Sequence, residues 1–139
     1  MQLEIITPDK TVVNETHVDE VLVPTASGQI GILPHHMNLV AQIIQGEIIV
    51  KQKGTERILA ITGGFLEVHN GNVSIIADYA MHADEINIEK AIAAQKRAEE
   101  VLKKKKETVS ERDFAIAEAE LRKSIVEINV AKRRHRKHI

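Results

Sequence analysis

The chain has 139 residues, a formal net charge of −1, two Phe, one Tyr, and neither Trp nor Cys. That length fits one domain, or a small domain with an appendage, and the lack of Cys excludes disulfide and thiolate chemistry. No stretch approaches the ~18 consecutive apolar residues of a spanning helix, and Met1-Gln2-Leu3-Glu4 has no basic start or long apolar run, so neither a signal peptide nor membrane insertion is expected.

The near-zero charge hides an asymmetry. Residues 1–84 hold 4 Lys/Arg against 10 Asp/Glu, whereas residues 85–139 hold 15 against 10. Composition shifts at the same place, from Val/Ile with Gly to Ala/Lys/Glu, which sets an expected boundary between a 1–84 domain and an 85–139 domain.

In chain order, the first half reads as strands. Val18–Val23 is short, β-branched and followed by turn residues. Gly28-Gln29-Ile30-Gly31-Ile32-Leu33-Pro34-His35-His36 follows, with two glycines, aliphatics, then Pro. Glycine suits backbone that turns or approaches closely, and a strand cannot continue through Pro34, so a tight β corner is expected. Glu47–Lys51, Arg57–Thr62, Phe65–His69 and Asn72–Ala77 complete the series. Lys53-Gly54 and Asn70-Gly71 are placed as two-residue hairpin turns. Leu66 and Val68 alternate with Glu67 and His69, the period of a strand with one buried face. Many short strands at this spacing predict a β-sandwich of two antiparallel sheets around an aliphatic core. Glu20, Glu47, Glu56 and Glu67 fall singly among them and read as a solvated face.

Residues 88–106 read as a helix, with Ile88, Ala91/Ile92, Ala98 and Val101/Leu102 at three- and four-residue spacing and Asn87 as N-cap. Ser110 with Asp113 resembles a capping box opening a second helix after a turn near Lys106–Val109. Phe114, Ala117, Leu121, Ile125 and Ile128 form its stripe, so the two helices pair as an antiparallel hairpin. Their contact is Ala-rich and therefore thin, because an Ala buries far less apolar area than a Leu. Ile116, Val126 and Val130 lie off that stripe, for contact with the sandwich or with another protein.

No catalytic constellation is present: there is no Gly-x-x-x-x-Gly-Lys-[Ser/Thr] loop and no Gly-x-Gly-x-x-Gly. His35 and His36, read as strand neighbours, would point to opposite faces and not converge on a metal. His135 and His138 sit in a basic tail, Lys132–His138, that repels a cation. The tail is read as a frayed solvated end or as a surface for an acidic protein. Nucleic acid is disfavoured, since aromatics that stack on bases are missing.

The Gly28–His36 string, followed by Gly63-Gly64-Phe65-Leu66-Glu67-Val68 and two Ala-rich helices, resembles the bacterial epsilon-subunit family of the F-type ATP synthase. The resemblance spans essentially the whole chain. It implies a non-catalytic rotor subunit of the proton-translocating synthase, whose sandwich binds the gamma subunit and the ring of c subunits. Gly28, Gln29, Ile30, Gly31, Pro34 and His36 would form the contact loop. Gln29 stands where the family often has an acid, and His35 and Met37-Asn38 where it often has Gly and Ala-Pro.

The helical hairpin would be a mobile regulatory domain. Extended, it would restrain ATP hydrolysis by setting Arg122, Lys123, Arg133 and Arg134 against an acidic segment of a catalytic β subunit. Some members hold ATP in the folded hairpin through a motif like Ile-Asp-x-x-Arg-Ala. Here the matching residues are Ile86, Asn87, Lys90 and Ala91, with Arg97 at a further basic position. Ile116 and Glu127 fall where nucleotide-binding members have Arg. Lys lacks the bidentate fork of Arg, so weak ATP binding or none is expected, with no cofactor. The implied location is the cytoplasmic face of the cell membrane, held there through partners. A second reading is a free-standing adaptor, with an acidic sandwich for one partner and a basic hairpin for another.

Overall fold

The computed structural model describes residues 1–104 and 109–137, the last three by backbone alone. The strands are β1 (Gln2–Ile6), β2 (Thr11–Glu15), β3 (Glu20–Thr25), β4 (Gly28–Ile32), β5 (Leu39–Ile43), β6 (Gly46–Gln52), β7 (Thr55–Ile61), β8 (Gly64–His69), β9 (Asn72–Ala77) and β10 (Ala80–His82). A 3-10 turn, Ala83–Glu85, leads to helices α1 (Ile88–Lys103) and α2 (Glu111–Lys137).

The expected β-sandwich is present, with two corrections. The strands run in one hydrogen-bonded order, β10-β7-β6-β3-β5-β8-β9-β1-β2, with β4 on β3. The two halves join where β3 changes partner: Glu20–Leu22 pair with β6, whereas Thr25 pairs with Ile43 of β5. Pro24 sits at the changeover, where a residue without an N–H leaves the ladder most easily, and its carbonyl accepts from Ile44 N–H at 3.1 Å. The second correction is that β1 pairs with β9 in parallel. The first strand returns beside the ninth, a long-range pairing that no local pattern specifies.

The placed turns hold. Lys53 and Gly54 have φ of 52° and 78°, Asn70 and Gly71 of 49° and 79°, as a primed hairpin turn requires. The alternation also holds: Leu66 and Val68 are buried, as are Val73, Ile75 and Ala77 on the paired β9. The sandwich core is aliphatic, including Leu3, Ile5, Val21, Val23, Ile32, Ile48, Leu59, Ile61, Leu66 and Ile75, and every member lies between residues 3 and 80. Each such side chain contributes about 1.5–3 kcal/mol on burial. Helix residues are not needed to close that core.

Both helix starts are capped by the residues expected. Asn87 Oδ1 accepts from Lys90 N–H at 3.0 Å, and Ser110 Oγ accepts from Asp113 N–H at 3.1 Å. Helix α1 ends at Lys103, and of the turn expected near Lys106–Val109 only Val109 falls among the described residues. The helices pack along each other, burying Ala91 and Ala98 on α1 and Ala117 and Ile128 on α2. Val126 and Val130 turn away from that seam and pack on Ala60 and Ala83 of the sandwich. Ile116 is 53% exposed.

Candidate functional sites

Three surfaces stand out, and two of them carry the residues singled out by the sequence. The first is the expected contact loop, which the structure divides. Gly28, Gln29, Ile30 and Gly31 lie on β4, opposite Thr25, Pro24, Val23 and Leu22 of β3. Pro34 and His36 lie beyond the far end of that strand, on a turn running to Asn38. There His36 N–H donates to Leu33 O at 3.1 Å, and Asn38 Oδ1 accepts from Asn70 N–H at 3.0 Å. The tip of the sandwich is thus built from 34–38 and the 70–71 turn, with Leu33 (54%) and Met37 (79%) exposed. Gly28 is at the other end of the strand and does not join it. His35 has φ of 69° and sits on this turn, so the strand alternation invoked for His35 and His36 does not apply.

The second surface was missed from sequence. On the outer face of β5, β8 and β9, Val40, Phe65 and Ile76 are 75%, 59% and 61% exposed. Phe65 lies directly opposite Ile76 and beside Gln42, and Glu67 lies opposite Val40, so these apolar side chains adjoin on one face. Their signal was available: Phe65 and Ile76 occupy the outward phase of strands whose inward phase is already aliphatic. Large apolar side chains clustered on an outward face mark an interaction surface.

The third surface lies between hairpin and sandwich. Asn87, Lys90, Ala91 and Arg97 come together along a groove of about 400 Å³, facing Met81, Glu85, Glu120, Lys123, Ser124 and Glu127. Ile86 packs instead with Ala60 and Ala83. Three carboxylates therefore face three cations, and Arg97 is held by Glu120 at 3.6 Å. Lys123 Nζ lies 4.5 Å from the centre of the Tyr79 ring. Arg133, one turn before the end of α2, donates from Nη1 to Glu47 Oε1 at 2.9 Å. Glu47 is only 11% exposed, so it is not part of a solvated face. Nor is Glu20, whose carboxylate takes Lys51 Nζ at 3.2 Å. Arg134 borders a separate cavity with Arg57 and His82, whereas Arg122 is exposed. The four expected inhibitory residues are thus dispersed: Lys123 and Arg133 face the sandwich, and Arg122 faces solvent.

Burial pushes the Glu127 carboxyl above its ordinary 4.5, against the opposing pull of the Lys123 ammonium and the Tyr79 hydroxyl. Tyr79 is raised in turn, by burial and then by the Glu127 charge. A carboxyl with a raised folded-state value stabilises the docked hairpin fully below its unfolded value, and this contribution is lost as pH rises through the folded value. Thermal stability of Glu127→Gln should therefore gain on the parent chain as pH climbs above about 4.5. Parallel pH profiles for the two chains would contradict that assignment.

Comparison with known proteins agrees with this geometry. Residues 1–83 match the beta-sandwich domain of the ATP synthase Delta/Epsilon chain, and residues 84–132 match its long alpha-helix domain. An ATP synthase epsilon chain of Desulforamulus reducens is 42% identical over 94% of this chain and 96% of its own length. One from Symbiobacterium thermophilum is 38% identical over 94% and 92%. Among solved structures, a chain of the Euglena gracilis mitochondrial ATP synthase (OSCP/F1/c-ring) superposes with a TM-score of 0.70 at 25% identity, covering 89% of this chain and 76% of that one. A free-standing adaptor is not favoured by any of these. With sandwich, hairpin and both family matches in the same order over nearly the full length, the chain belongs to the Delta/Epsilon family of F-type ATP synthase subunits, as a non-catalytic epsilon chain.

Proposed function

We propose that this subunit joins the gamma subunit to the c-ring through adjoining parts of its sandwich, one face and the tip at its end, and restrains ATP hydrolysis with its helices. The carrying observation is the apolar face of Val40, Phe65 and Ile76, which a monomer would leave in water. Gamma is its occupant. The tip at Pro34–Asn38, with exposed Leu33 and Met37, meets the c-ring, and the contact loop is narrowed to that end. Both contacts hold the subunit at the cytoplasmic face of the membrane. Among the described residues no helix is long and apolar enough to cross it. Residues 1–84 act as the rotor-binding domain and 85–139 as the regulatory one, in keeping with a sandwich core confined to residues 3–80.

The brake is the basic surface of α2. When the hairpin extends, Arg122, Lys123, Arg133 and Arg134 meet an acidic segment of a catalytic β subunit. Exposed ion pairs contribute only about 0–1 kcal/mol each, so the four are replaced together. The fourfold Ala variant should hydrolyse ATP faster in the assembled enzyme, with assembly unchanged. Equal rates across a salt series would remove the brake from this patch.

The hairpin groove is not a nucleotide store. Glu85, Glu120 and Glu127 oppose a polyanion there, and Arg97 is already paired with Glu120. Calorimetry on the isolated chain should show no ATP binding in the micromolar range, which corresponds to about −8 kcal/mol. A micromolar constant would restore a sensor role to Lys90 and Arg97.

A further inference from the structure

Glu47 is separated from Arg133 by 86 residues of sequence. Its Oε1 takes the guanidinium at 2.9 Å, while Oε2 is buried with no hydrogen-bond partner among the described residues. A carboxylate taken out of water this far is tolerable only beside a cation. Arg133 is the one that α2 supplies, and it can do so only while the helix lies on the sandwich. The apolar part of that docking is one small cluster, Val126 and Val130 against Ala60 and Ala83 with Ile58 and Ile86 partly buried at its side, and alanine contributes little burial. Charge therefore weighs heavily in holding the hairpin down.

We propose that Glu47 and Arg133 form a latch that holds the hairpin against the sandwich, and that the docked state thereby withholds this guanidinium from any second acidic partner. The latch itself stands on the geometry alone; its effect on hydrolysis rests on the brake proposed above. Lifting the helix frees Arg133 for the brake and returns Glu47 to water, so each position of the hairpin has a use for the same cation. Removing the two members is then not equivalent. Reversing Glu47 lifts a hairpin whose brake is intact, whereas reversing Arg133 lifts one whose brake is weakened.

The test uses the full chain, which has no Cys of its own. Dyes are placed at Thr55→Cys and Lys132→Cys, both exposed, where the end of α2 borders the start of β7. Glu47→Arg and Arg133→Glu should each lower the docked-to-lifted ratio about fivefold or more, the equivalent of ~1 kcal/mol. The double reversal should restore it. In the assembled enzyme Glu47→Arg should slow ATP hydrolysis, and Arg133→Glu should slow it less. Arg133→Glu alters only an exposed helix residue, so it reads the latch even where Glu47→Arg disturbs β6. Unchanged energy transfer in Arg133→Glu, or a double reversal that fails to restore docking, overturns the latch. Altered energy transfer with unaltered hydrolysis supports the latch and counts against the brake.

Discussion

The double variant Phe65→Glu, Ile76→Glu is expected to abolish binding to gamma while leaving the subunit folded. Both side chains point outward from strands whose inward residues, Leu66 and Ile75, are fully buried, so the core is untouched. Glu at these positions is as soluble as the neighbouring Glu67. At an interface the outcome differs, because truncating a central apolar anchor typically removes 2 kcal/mol or more, and each variant also forces a charge into an apolar contact. Two such changes should weaken the complex by about a thousandfold or more, at about tenfold per 1.4 kcal/mol. Titration of gamma with either chain, with circular dichroism as the folding control, gives the answer. An affinity within a few-fold of the parent would move the gamma contact off this face.

Gly64→Val is expected to have the largest effect on stability. A Cβ at Gly64 would stand 2.1 Å from Ile76 O and 3.0 Å from Ala77 Cα, both main-chain atoms. Because Gly64 is paired with Ala77 at the end of the β8–β9 ladder, the strands would have to part there. Overpacking of this kind costs about 3 kcal/mol, a fall in Tm on the order of 10 °C for a chain of this size. Gly71→Asn is the matched control: its φ of 79° suits Asn and nothing lies within 4 Å. A Gly64→Val chain that melts within a few degrees of that control would mean the strands separate without penalty.

The sequence disclosed what local chemistry controls. Alternation placed Leu66 and Val68, the Asn70-Gly71 and Lys53-Gly54 pairs placed two turns, and Asn87 and Ser110 placed both caps. It did not disclose β1, β2, β4, β5 or β10, whose pairing depends on distant partners. Gln2–Ile6 becomes a strand because β9 offers it an edge 70 residues later. The divided contact loop has the same cause, since Pro34 and Asn70 meet only through the β5–β8 pairing. Glu47 looked solvated because it stands alone between strand residues. Only the return of α2 over β6 shows that it is covered. Phe65 stands in the Gly-Gly-Phe string, but it is its outward phase, next to the inward Leu66, that marks the apolar face.

Co-purification from the native membrane tests the central claim most directly. A rotor subunit seated between gamma and the c-ring should come down with both, at one copy per gamma. The Phe65→Glu, Ile76→Glu chain should fail to enter the complex, and a chain lacking residues 85–139 should still enter it. Recovery of the parent chain without gamma, or with gamma only when the helices are present, would contradict the assignment of the sandwich as the part that joins the stalk.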